Sequence, residues 1–121
     1  MQFIDSNTDF SISSAVVHSG RVFEAVVTGI PDGQRTPVPG GAAAEMREAF
    51  RQLDVLLAQA GVDRRAVCTA RLYLHDVLAD VAEVNTVWKE YFGNHPVVRR
   101  CYGVVLQAGM KVEAAFTAEI P

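Results

Sequence analysis

The sequence predicts an α+β fold: a mixed β-sheet of five or six strands with two helices packed on one face. Three observations predict it. Two segments repeat apolar residues at steps of three and four, several others alternate apolar with polar residues, and the order is strands, helix, strand, helix, strand pair. With 121 residues, half of them apolar, the chain has the size of a single domain over 1–121 and enough apolar surface to offset its ordering entropy.

In chain order, a short strand near Phe3 carries the faintest signal. Ala15–His18 and Arg21–Val27 alternate clearly and flank Ser19-Gly20, a dipeptide suited to a two-residue hairpin turn. A loop rich in Gly and Pro follows between Gly29 and Gly41. Met46, Phe50, Leu53, Leu57 and Ala60 then fall on one helical face that Gly61 ends, with Glu45, Arg47, Glu48, Arg51 and Asp54 outside. Ala66–Leu74 reads as a strand with Ala66, Cys68, Ala70, Leu72 and Leu74 on one face and Val67, Thr69, Arg71, Tyr73 and His75 on the other. The second helix runs from about Asp80 to Phe92 with Val81, Val84, Trp88 and Phe92 as its stripe; Asp76 or Asp80 caps it. Arg100–Leu106 and Lys111–Ile120 complete the sheet.

Composition excludes several functions. A formal net charge of −3 with no basic run argues against a general nucleic-acid binder. No apolar run reaches membrane-spanning length, and Met1–Asp5 lacks a signal-peptide start, so a cytoplasmic location is expected. Cys68 and Cys101 are expected to be buried free thiols. His18, His75 and His95 show no metal-ligand spacing, so neither metal nor cofactor is expected.

The face carrying Val67, Thr69 and Tyr73 is too apolar for plain solvation, yet Arg71 argues against a second core layer. Burial against other copies of the chain, a homo-oligomer, is therefore expected. If Gln107 and Lys111 close a three-residue hairpin loop, Leu106, Val104 and Tyr102 face Val112, Ala114 and Phe116 on the helix side. Arg99, Cys101 and Glu113 then share the other face, Arg99 and Glu113 separated by roughly 20 Å along the strands, while Arg100 falls on the helix side. Two readings follow. Either Arg99 pairs with Glu119 across the hairpin and Glu113 is solvated, or a neighbouring subunit brings its Arg99 to this Glu113.

Ala15-Val16-Val17-His18-Ser19-Gly20-Arg21-Val22-Phe23, Ala60-Gly61, Val84-Asn85-Thr86-Val87-Trp88, Arg99-Arg100-Cys101-Tyr102-Gly103-Val104 and Lys111-Val112-Glu113 occur in an order that resembles the Rid/YjgF family. These are enamine and imine deaminases once described as L-PSP endoribonucleases. The resemblance implies a chorismate-mutase-like, YjgF-type fold and a homotrimer whose sheets form a central β-barrel, with sites in the clefts between subunits. It further implies that Arg99 binds a substrate carboxylate and Glu113 positions or activates water. Asn85 would order the Arg99 end, and the backbone at Cys101 would contact substrate. The sequence departs from the family twice. Ala25, Val26 and Val27 stand where many members carry Ser-Gly-Gln, unless Thr28-Gly29 serves instead, so Val26 reshapes the approach to substrate. Ile12 or Ser13 replaces an N-terminal aromatic residue. Three functions remain open: deamination of a carboxylate-bearing imine, non-catalytic binding of a carboxylate metabolite or a protein partner, and ribonuclease activity, which the acidic charge disfavours.

Overall fold

The structure, a computed structural model, covers residues 1–121. Strands β1 (Gln2–Asn7), β2 (Ile12–His18) and β3 (Val22–Thr28) form an antiparallel meander. Helix α1 (Gly41–Gln59), β4 (Val67–Leu74), α2 (Val77–Phe92), β5 (Val98–Gly103) and β6 (Val112–Glu119) follow. The spatial order is β1-β2-β3-β6-β4-β5, with β4 and β5 the parallel pair and both helices on one face. This is the predicted α+β architecture.

Local chemistry explains the element ends. Ser19 and Gly20 both take positive φ, 56° and 69°, the primed turn whose twist matches a hairpin. Asp76 accepts a hydrogen bond from the Ala79 N–H at 3.1 Å, so Asp76 is the cap and the helix starts at Val77, a turn earlier than its stripe suggests. Asp80 remains in the first turn, where its charge complements the helix dipole.

The core lies between the helices and the sheet. Met46, Phe50, Leu53 and Leu57 are buried as predicted, and Val84, Val87 and Phe92 of α2 meet Phe23, Leu72, Val112 and Phe116 of the sheet. Phe50 is the hub: it stacks on Tyr91 at 3.9 Å and meets Trp88 and Phe92 edge-on, each at 5.6 Å. The Tyr91 hydroxyl donates to Asp54 at 2.5 Å, and Arg64 covers its ring at 4.0 Å. Burial, reinforced by the bond to Asp54, holds the Tyr91 phenol well above its ordinary range.

Four expectations are corrected. First, β5 and β6 are not a hairpin. Strand β6 lies between β3 and β4, and β5 pairs with the outer edge of β4. The apolar match that suggested the hairpin is local, but a central β6 bonds its backbone on both sides, which an edge hairpin cannot do. Val104 and Val105 consequently belong to a connection rather than a strand.

Second, the faces of β5 are exchanged. Register with β4 sets Arg99 beside Ala70 on the helix side and Arg100 beside Arg71 on the open face. Glu119 pairs with Arg21 at 2.8 Å instead of Arg99. Third, both cysteines are exposed. A bulge between Val67 and Thr69 resets the alternation of β4, so Val67 is buried and Cys68 turns outward. Fourth, Glu45 is buried, at 2% exposure, and accepts the Lys111 N–H at 2.8 Å. It falls in a stripe with Met46 and the small residues Ala42 and Ala49, whose spacing a count of large side chains overlooks.

Candidate active site

Arg99 sits on the edge strand β5 beneath α2. Its Nη2 donates to Asn85 Oδ1 at 2.8 Å, and its guanidinium lies 4.8 Å over the Trp88 ring. Both partners are neutral, one turn apart on α2, and no carboxylate in the chain pairs with this arginine. A guanidinium oriented by an amide and an aromatic face keeps its full charge and most of its donor fork for an incoming anion. Cys101 lies two residues along the same strand. Because β5 ends the sheet, one side of its backbone has no strand partner.

Glu113 opens onto the other side of the sheet. Its neighbours in register are Thr28 on β3 and Tyr73 on β4. With Tyr73, Val104, Val105, Leu106, Gln107 and Met110 it lines a groove of about 420 Å³. No cation of the chain neutralises it. Tyr73 stacks on Tyr102 at 5.6 Å and extends the apolar floor toward β5.

Within one protomer these two charges do not converge. Arg99 is level with Ala70 and Glu113 with Tyr73, three positions apart along β4, or roughly 10 Å, and on opposite faces. The sheet itself separates them, rather than the length of a hairpin.

Val26 projects from the open face, 50% exposed and level with Ala115. It borders a concavity of about 450 Å³ that also includes Ser13, Ser14, Glu24, Arg71 and Thr117. Gly29 cannot take the place of the missing glycine beside it. Gly29 packs on α1, where an added Cβ would fall 2.5 Å from Glu45 Cβ. Ser13 bonds to Ser6 at 2.7 Å, and Ile12 is exposed at the start of β2.

Residues 5–120 match the family described as endoribonuclease L-PSP. Two relatives carry the name 2-iminobutanoate/2-iminopropanoate deaminase. That of Bos taurus is 32% identical and that of Rattus norvegicus 30% identical, each over 84% of this chain and 74% of its own. The chain belongs to the Rid/YjgF family. A crystal structure of a YjgF/YER057c/UK114 family member from Mycobacterium tuberculosis superposes with a TM-score of 0.80 at 25% identity, covering 98% of both chains. A YjgF protein from Neisseria meningitidis gives 0.78 at 24% identity, over 99% of this chain and 94% of its own. These likenesses share the two-helix, six-stranded architecture.

Against this Rid/YjgF fold, the predicted residues divide into two groups. Arg99, Asn85 and Cys101 gather at the β5 edge, while Glu113 and Val26 lie on the open face. Sequence reasoning missed the groove wall formed by Val104–Leu106, because it read those residues as strand. Trp88, read from the sequence as part of the α2 core stripe, also has Arg99 over its ring.

Proposed function

We propose that this protein hydrolyses carboxylate-bearing imines and enamines, releasing a 2-keto acid and ammonia, as a homotrimer of one Rid/YjgF unit per chain. The observation that carries this reading is the unpaired Arg99 guanidinium, held ready by Asn85 and Trp88. The names of the relatives support the substrate class.

A 2-imino acid presents a carboxylate that the arginine fork can hold and a C=N carbon that is electrophilic once the nitrogen is protonated. In this mechanism a second subunit brings its Glu113 across the cleft. Glu113 takes a proton from water as the water oxygen bonds to the imine carbon. The resulting carbinolamine receives that proton back on nitrogen, the C–N bond breaks and ammonia leaves. Glu113, deprotonated again, takes the remaining hydroxyl proton as the ketone forms and passes it to solvent, so one water is consumed for each ammonia released. The exposed apolar residues Phe3, Val26 and Tyr102 on the open face are the surface such an assembly would cover.

Arg99→Ala and Glu113→Ala test the reading. Each should reduce accelerated ammonia release from enzymatically generated 2-iminobutanoate by about 100-fold or more, with oligomer mass unchanged. Wild-type rates in both variants would reject it. A second reading, non-catalytic binding of a carboxylate metabolite, is favoured by the bulk of Val26 on the open face. Saturable binding of 2-oxobutanoate with ammonia release at the buffer rate would establish it.

A further inference from the structure

The connection between β5 and β6 forms the rim of the groove around Glu113, and a single residue outside it holds it at two points, Leu106 and Lys111. The His75 N–H donates to Lys111 O at 3.0 Å, and the Leu106 N–H donates to His75 Nδ1 at 2.9 Å. The rest of the connection is secured differently. The Val104 N–H donates to Leu74 O at 3.0 Å, and the Lys111 N–H reaches buried Glu45 at 2.8 Å. Between these anchors Met110 closes a turn onto Gln107 O at 3.0 Å. Val105 projects between the Val104 and Leu106 anchors, 91% exposed, beside Glu113, and the His75 ring fixes the Leu106 side of it.

We infer that His75 is a positioning residue for the Glu113 site: by holding Leu106, its Nδ1 sets Val105 and Leu106 in the apolar wall against which the non-reacting part of the substrate packs. The inference rests on the deaminase reading above. A backbone N–H aimed at Nδ1 requires the ring proton on Nε2, so the ring serves here as an acceptor. The ring touches no reacting atom. Its influence passes through the wall, which holds the substrate equally in its ground and transition states, and therefore acts on KM more than kcat.

Two substitutions separate the hydrogen bond from the ring's bulk. His75→Phe keeps a ring without an acceptor, whereas His75→Asn keeps an acceptor oxygen near the Nδ1 position. His75→Phe should raise KM for 2-iminobutanoate about five-fold, the worth of one neutral hydrogen bond, with kcat within about two-fold. Amide hydrogen exchange at Leu106 should quicken by about the same factor. His75→Asn should restore both readouts to within about two-fold of wild type. The inference is overturned if His75→Phe leaves KM and Leu106 exchange unchanged, or if His75→Asn is as impaired as His75→Phe. If the wild-type protein does not accelerate imine hydrolysis, the deaminase reading fails by itself. Leu106 exchange in the same two variants then decides the role of His75, and failure to quicken in His75→Phe overturns it.

Discussion

The two faces of the sheet are built from the same strands and differ in almost every other respect. On the helix side, Phe23, Leu72, Val112 and Phe116 are closed off from water by α1 and α2. On the open side, Val26, Thr69, Arg71, Tyr73, Arg100, Tyr102 and Glu113 mix apolar bulk with charges that find no partner in the chain. The closed face spends its side chains on holding the fold. The open face leaves its side chains available, and so contains both the proposed subunit contacts and the proposed water-activating carboxylate. Arg99 is the exception: it lies on the helix side but at the sheet edge, where α2 can orient it while leaving it reachable.

A matched pair of substitutions offers the hardest test of this contrast. Leu72→Ala, at a position with 0% exposure, should cost about 2–5 kcal/mol in denaturant unfolding at fixed protein concentration, because it leaves a cavity in the closed face. Val26→Asp should keep the circular dichroism of the wild type yet dissociate the oligomer to monomers in sedimentation velocity. If Val26→Asp leaves the mass unchanged, the open face is not the interface.

A smaller effect sharpens the closed face. Gly29→Ala brings a Cβ to 2.5 Å from Glu45 Cβ and 2.8 Å from its Cα, so α1 must shift away from β3. Unfolding should show a loss of about 1–3 kcal/mol. Because Glu45 also binds the Lys111 N–H, that shift should reach the rim of the Glu113 groove and raise KM as well.

The smallest expected effect lies away from both faces. Asp63 caps the short turn before β4, and the hydrogen bonds from Arg65 hold its carboxyl down to about 2. A folded-state value below the unfolded one, about 3.9, means that its contribution is present above that unfolded value. The contribution fades as pH falls through about 2. NMR titration should show this low midpoint, and Arg65→Ala should move it upward with little change in stability at neutral pH, since the pair is exposed.

Much of the fold was legible because local patterns carry it. The stripe Met46-Phe50-Leu53-Leu57, the turn at Ser19-Gly20 and the alternation in Val22–Thr28 each record which side of an element meets the core. The pairing of β6 was not legible. Its alternation is satisfied equally by β5 as a hairpin neighbour or by β3 and β4 together, and the choice rests on backbone bonds formed far along the chain. The candidate site shows the same division. The strand pattern singled out Arg99 and Glu113, and family resemblance added Asn85 and the expected roles, whereas Trp88 under the guanidinium and His75 at the groove rim became visible only once the elements were packed.

By itself, then, the sequence determined the helices, most strand alternation, the α+β class and the residue types capable of holding a carboxylate and moving a proton. Period and residue chemistry are properties of short segments, and short segments can be read in isolation. Only the tertiary structure decided that Arg99 faces α2 while Glu113 faces outward, that Cys68 is exposed and that Glu45 is buried. The strand outcomes depend on strand order and register and on one bulge, which puts the residues on either side of it out of phase, while Glu45 is buried because α1 packs its small-residue stripe on the sheet.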